Sequence, residues 1–308
     1  MITSAAGAEA ADYGGIGLGQ LISVIVAVTL IEMMFATGLG VRLADVIGVG
    51  RNGPQLLIVG LTNYVAVPTA AVVLILLVGA DPPSAVGILL LAVCPGAPYG
   101  PPLTALARGA TATAVGLMVI LAGSSVVMAP LLLSFLLPLT TGSAGLQVHA
   151  FGMFQAIVVT QLLPLCCGLA ISHRRPDLAR RWLGPAVAAG KVLNAATLAL
   201  ILASQYPQLL KVRPGGIVGM LGLLGFSLAA GWIVGGRWSG DRKAMALTTS
   251  IRNVGLGLVI ASSTFAGTPA ATTVVVYGLL QLLGALLFTL WWRRSSAGVQ
   301  PDRQERAQ

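Results

Sequence analysis

Runs of roughly 20 mostly apolar residues, the length that crosses a bilayer as a helix, recur along this chain from Leu18 to Trp292 with only short gaps between them. Set against turn signals and charges, they resolve into nine segments. These are Leu18 to Gly40 (A), Gln55 to Gly79 (B), Ala85 to Ala107 (C), Ala110 to Pro138 (D), Val148 to Ser172 (E), Ala186 to Tyr206 (F), Gly215 to Gly236 (G), Ala244 to Phe265 (H) and Pro269 to Trp292 (I). The pattern predicts an all-α polytopic membrane protein with one transmembrane domain over 18–292, an extracytoplasmic segment over 1–17 and a cytoplasmic tail over 293–308. Segment D is long for one crossing and is expected to tilt or to begin outside the hydrocarbon.

Composition agrees with that reading: 56% of the residues are hydrophobic and 9% are charged, and the mean hydropathy is +0.90. No water-soluble domain could cover such a chain with polar surface. The net charge of +9 has a topological explanation, because Lys and Arg gather in short cytoplasmic loops. With the N-terminus outside, the inner side holds fourteen basic residues (Arg42, Arg51, Arg108, Arg174, Arg175, Arg180, Arg181, Arg237, Arg242, Lys243, Arg293, Arg294, Arg303, Arg306) and the outer side two, Lys211 and Arg213. Basic residues interleaved with aromatics on a soluble face are missing, so nucleic acid is not an expected partner. Met1 to Gly17 carries Glu9 and Asp12 but no Lys or Arg, the wrong pattern for a cleaved signal peptide. Cys94, Cys166 and Cys167 read as small buried hydrophobes, and His149 and His173 have no ligand-spaced neighbours, so no metal site or cofactor is expected.

Two segments are interrupted. Segment C contains Cys94-Pro95-Gly96-Ala97-Pro98-Tyr99-Gly100-Pro101-Pro102, four prolines in eight residues. Each removes a backbone donor and crowds a preceding carbonyl, so a continuous helix is excluded. A proline kink that only shapes packing is the simpler alternative, but this density favours an unwound crossover lining protein or a water-filled cavity. Segment H carries the polar run Thr248-Thr249-Ser250-Ile251-Arg252-Asn253, then Val254, Gly255 and Gly257. C and H become equivalent if the first half has lost one starting helix. The chain then reads as an inverted repeat of 4+5 segments with paired interruptions, which is where transporters place their binding site. The crossover residues expected are Pro95, Gly96, Pro98, Gly100, Pro101, Ser250 and Gly255.

Three ionisable residues fall inside the segments: Glu32, Lys191 and Arg252. Lys191 lies near the inner boundary and can snorkel to the interface. Glu32 lies eight residues before Gly40 and Arg252 eight after Ala244, ~12 Å deep at the helical rise. A charge at that depth needs a counter-charge or a cavity. Two readings therefore stand: a buried Glu32–Arg252 pair, or an Arg252 facing substrate. Asn63 lies at similar depth and either faces the same cavity or makes a helix-packing hydrogen bond. The residues expected at the substrate are Arg252, Asn253, Asn63, Tyr99, Thr248 and Glu32.

These features together resemble the bile acid:sodium symporter family over nearly the whole chain. The resemblance rests on Phe35-Ala36-Thr37-Gly38-Leu39, on Asn63 to Pro68, and on Cys94-Pro95-Gly96 followed by Leu106-Ala107-Arg108-Gly109. It extends to Leu163-Pro164 with Gly168, and to Arg252-Asn253 with Gly255-Leu256. It implies a panel domain and a core domain, the two discontinuous helices crossing in the core. It also implies sodium ligands at a Ser-Asn pair after the Cys-Pro-Gly turn, at Ser and Thr in the next helix, and at a Glu and a Gln in the second crossover. The matching positions here are Gly100, Pro101, Ala114, Met118, Thr248 and Arg252. Asn63 matches a family Gln. Nearly every sodium-coordinating side chain is replaced, and Arg252 puts a fixed positive charge where a mobile cation is implied.

The expectation is a secondary active transporter of small organic anions in a bacterial cell membrane, working by alternating access without the usual two sodium sites. A sodium symporter with rearranged ligands, backbone carbonyls with Thr248, Thr249 and Ser250, is the rival within transport. A non-transporting membrane sensor is the rival from another class. An intramembrane enzyme would need a catalytic pair within the bilayer, and Glu32 is the only carboxylate in a segment.

Overall fold

The computed structural model describes residues 18–141, 150–209, 213–265 and 268–295. The predicted N-terminal segment, His149, Lys211 and the tail beyond Ser295 lie outside the described residues. All regular elements described are helical. Segment A is α1, Leu18–Gly40, as predicted at both ends, and is followed by a short α2, Leu43–Gly50. Segment B is α3, Gly53–Leu61, and α4, Val67–Leu77, joined by a widened π turn at Thr62–Ala66. Segment C is broken into α5, Pro82–Ala92, and α6, Gly100–Leu106. Segment D is α7, Thr111–Thr141, and segment E is α8, Ala150–Ile157, a second π turn at Val158–Leu162, and α9, Leu163–Arg174. Segments F and G are α10, Pro176–Leu209, and α11, Pro214–Val234. Segment H is α12, Ser239–Ser250, and α13, Val254–Thr264, and segment I is α14, Ala270–Ser295. Eight stretches among the described residues are long and apolar enough to cross a membrane. The ninth segment, residues 82–106, is divided by its break.

The two π turns have a common cause. Each ends two residues before a proline, Pro68 or Pro164, whose ring would clash with the carbonyl four residues back in a regular helix. Widening the turn by one residue relieves that contact: Val67 N–H bonds to Thr62 O and Leu163 N–H to Val158 O, five residues apart in each case. The buried residues so displaced include Asn63 and Gln161.

The break in C follows from its glycine and prolines. Gly96 has φ +85, a conformation open to glycine at little cost, and a Cβ there would overlap the backbone of Ala122 on α7. Pro101 and Pro102 fall in the first turn of α6, where a missing N–H costs nothing. The unwound stretch is therefore confined to residues 93–99. The Ala-Arg-Gly element closes α6: Arg108 takes φ +55 and Gly109 N–H reaches back to Thr104 O at 2.9 Å, a Schellman-type end. The same turn docks on the start of α12, with Ala110 N–H on Gly240 O at 2.9 Å and Lys243 Nζ on Ala107 O at 2.9 Å.

Helix α1 packs chiefly against α9 and α10, whereas α5, α11, α12, α13 and α14 pack mainly on one another. At the α1–α9 crossing Gly38 meets the backbone of Leu165 and Gly168, and Gly168 meets Phe35 O, so the small residues of both motifs permit close approach. Two predictions need correction. The inner loop expected between segments E and F, residues 173–185, is reduced to Arg175, because Pro176 and Asp177 are strong helix-start residues and α10 begins there. Cys166 and Cys167 are exposed rather than buried, unlike Cys94. In a membrane helix an apolar residue is as well placed against lipid as inside.

Candidate functional site

The two breaks are joined directly. Asn253 N–H donates to Cys94 O at 2.8 Å, so the unwound stretch of H borrows a partner from that of C. Three side-chain amides then fix residues 252 and 253. Asn253 Nδ2 donates to Gln161 Oε1 at 2.8 Å, while Asn253 Oδ1 accepts from Leu256 N–H at 3.1 Å and caps α13. Gln281, on α14, accepts from Arg252 N–H at 3.0 Å and donates to Arg252 O at 2.8 Å, replacing both ladder bonds that the unwound backbone lacks. Asn63 Oδ1 accepts from Arg252 Nη1 at 3.1 Å, and Asn63 Nδ2 donates to Val59 O at 3.1 Å and faces Thr249 Oγ1 at 3.5 Å. Each π turn thus delivers one amide to the second break. Gln161 is held in turn by Ala122 O at 2.6 Å and Ser125 Oγ at 2.9 Å, and Tyr64 by Ser124 at 2.6 Å.

Arg252 is 1% exposed. Its Nε and Nη2, the hydroxyl of Tyr277 and Oγ1 of Thr248 are buried without a hydrogen-bond partner. Glu32 and Arg252 do not pair: among the described residues the ion pair is Arg180–Asp177, on the surface. An equal count of residues from the helix ends says nothing of direction around the helix axis. Glu32 points from α1 towards Gly190 of α10, and Arg252 points behind the break to Asn63.

A cavity of about 480 Å³ lies between α1, α10, α7 and the break in C, lined by Glu32, Tyr99, Pro98, Pro101, Met118 and Lys191 among others. It adjoins, through Gly40 and Leu183, a second cavity of about 600 Å³ beside Arg42, His173 and Arg180. On the other side of Met33, Pro98 and Tyr99 lies a crevice of about 50 Å³, lined by Asn253, Gly255, Thr29 and Asn194 among others. The wide space therefore faces the basic end of the bundle and narrows sharply at the crossover. Of the residues expected at the substrate, Glu32 and Tyr99 line the wide cavity and Asn253 the crevice. Arg252, Asn63 and Thr248 are buried behind the crossover. Pro95, Gly96 and Ser250 are buried with them, and Gly100 packs on Thr248. Gln161 and Gln281 were not foreseen. Each is an amide inside an apolar segment, the signal that singled out Asn63.

Ala114 and Met118 are buried and apolar.

A helical membrane bundle with two broken helices joined at mid-span beside an internal cavity is the architecture of a secondary transporter. The chain belongs to the Sodium Bile acid symporter family, whose model matches residues 27–213. It is also 25% identical over 287 residues, 89% of this chain and 84% of the other, to an uncharacterized sodium-dependent transporter, YocS, of Bacillus subtilis (strain 168). The second break lies beyond the stretch matched by the family model.

Proposed function

We propose that the protein is a secondary carrier of small organic anions that works by alternating access, with the fixed charge of Arg252 standing in place of the mobile cation of sodium-dependent members. The observation that carries this reading is the Arg252–Asn63 hydrogen bond at 3.1 Å. Asn63 matches a Gln of the family pattern and Arg252 a sodium-ligating Gln, and here the two positions are bonded to each other. Arg252 does not touch the cavity; its charge acts through a buried, low-dielectric wall, where fields are weakly screened. The N-terminus of α13, capped by Asn253 beside the crevice, adds positive potential. The group of α1, α9 and α10 serves as the panel that rocks against the remainder, with the N-terminus outside the cell membrane and the basic end in the cytoplasm.

The test is thermal unfolding of the purified protein against a panel of organic anions, since a ligand that binds only the folded state raises stability by mass action. Saturable stabilisation by an anion, lost in Arg252→Gln and partly kept in Arg252→Lys, is expected. A second reading, sodium-coupled uptake, is favoured by the name of the Bacillus subtilis relative and by the buried hydroxyls of Thr248, Thr249 and Ser250. Sodium-driven uptake into vesicles would establish it.

A further inference from the structure

The Glu32 carboxylate is the unexplained group of the cavity wall. It is the only carboxylate in a transmembrane segment among the described residues; Asp45, Asp81, Asp177 and Asp241 all lie at or near segment ends. Both of its oxygens are buried and neither has a hydrogen-bond partner. The carboxylate is pressed against Gly190, where any Cβ would overlap it, so a side chain at 190 would exclude it. An ionised carboxylate in that setting has no donor and no counter-ion, the most costly arrangement available to it. It would also repel an anion entering the same cavity.

We infer that Glu32 is a proton-binding site that couples anion movement to proton movement. This inference rests on the organic-anion reading and names its coupling ion. With a proton on Glu32 the cavity wall is neutral there and admits an anion. Loss of the proton restores a negative charge and expels the anion. One proton accompanies each anion, the O–H bond of Glu32 forming as the cavity loads and breaking as it empties on the far side. The titratable groups near Glu32 are few. Tyr99 faces it from the break in C, and Lys191 of α10 lines the same cavity without an ion pair to it. Helix α9 carries Cys166, Cys167, His173 and Arg174, whereas the second π turn, α13 and the cavity-lining turns of α7 carry none.

The first measurement uses the full-length protein in liposomes and no substrate. Infrared difference spectra on acidification are expected to gain a protonated-carboxyl band that shifts in Glu32→Asp and is lost in Glu32→Gln. A band unchanged by Glu32→Gln, or no band in the wild type, overturns the proposal. The second follows thermal stabilisation by pyruvate and benzoate as probes across pH. Linkage of one proton to one anion predicts that the half-saturating concentration rises about tenfold per pH unit once the proton is lost, and that Glu32→Gln abolishes this slope while still binding. An unchanged slope in Glu32→Gln, or the same pH dependence after Lys191→Gln alone as after Glu32→Gln, counts against Glu32. If the carboxyl band behaves as expected but neither probe stabilises the wild type, the proton site stands and the organic-anion reading is what fails.

Discussion

Asn63 and Arg252, 189 residues apart in sequence, share a hydrogen bond of 3.1 Å in which the Asn63 oxygen faces the guanidinium. The amide is oriented because Asn63 Nδ2 is committed to Val59 O, and the π turn that presents it exists because of Pro68. A proline in one segment thereby fixes the partner of a charge in another.

The energetics of this pair are asymmetric. Hydrogen bonds to charged groups contribute ~1.5–3 kcal/mol, and stranding the charge adds a desolvation penalty. Asn63→Leu is therefore expected to destabilise by about 2–4 kcal/mol. Arg252→Met removes a buried charge whose Nε and Nη2 already lack partners, and such replacements are often neutral or stabilising. The double variant should recover most of the loss caused by Asn63→Leu, a coupling that a double-mutant cycle in thermal unfolding measures directly. Simple additivity would show that the bond carries no net energy.

Gln281 is expected to be costlier to lose than its place in an apolar helix suggests. Gln281→Leu leaves both the N–H and the C=O of Arg252 buried and unpaired, at ~1–3 kcal/mol for each group. Gln281→Glu keeps an acceptor for the N–H but loses the donor to the carbonyl, so it should not rescue. Hydrogen exchange at the Arg252 amide should rise in Gln281→Leu and stay slow in Gln281→Glu, which keeps the acceptor; unchanged protection in Gln281→Leu would mean that another group satisfies the N–H.

The segments and both breaks were legible because their signals are local: apolar length, proline density, and a polar run within an apolar one. Asn63 and Glu32 were legible as polar residues inside apolar segments. Their partners were not, since the azimuth of Glu32 around α1 and of Arg252 at its break is set by tertiary packing. The same holds for Gln161 and Gln281, whose roles emerge only once the unwound backbone of residues 252 and 253 is seen to need donors and acceptors. The exposure of Cys166 and Cys167 was misjudged because burial rules for water do not apply against lipid.

Sidedness is testable through the ends of the bundle. Ala110 meets Gly240 at one end and Gly215 packs on Val78 at the other, so the basic turns after α6 and before α12 share a face. Reporter fusions at Arg175 and after Arg294 are expected to read cytoplasmic, and fusions at Asp81 periplasmic. Fusions placing Arg175 and Asp81 on one side would overturn the nine-segment topology.

The last expectation concerns sodium. Sodium needs several oxygen ligands, and Gly100, Pro101, Ala114 and Met118 offer none from their side chains. The Asn63 oxygen is engaged by Arg252. A sodium ion bound beside that guanidinium would also meet like-charge repulsion. At a separation of ~5 Å and an effective dielectric of 20, this is ~3 kcal/mol, roughly a hundredfold in affinity. Thermal stability and anion binding are therefore expected to be the same in sodium, potassium and choline at equal ionic strength. Removing the charge alone should not create a sodium site, because Arg252→Gln restores one oxygen and leaves the other positions bare; a weak sodium response in this variant would show instead that repulsion is the dominant obstacle. A saturable, sodium-specific rise in melting temperature of the wild type, absent with potassium, would mean that backbone carbonyls and the hydroxyls of Thr248, Thr249 and Ser250 form a rearranged site, and the fixed-charge reading of Arg252 would fall with it.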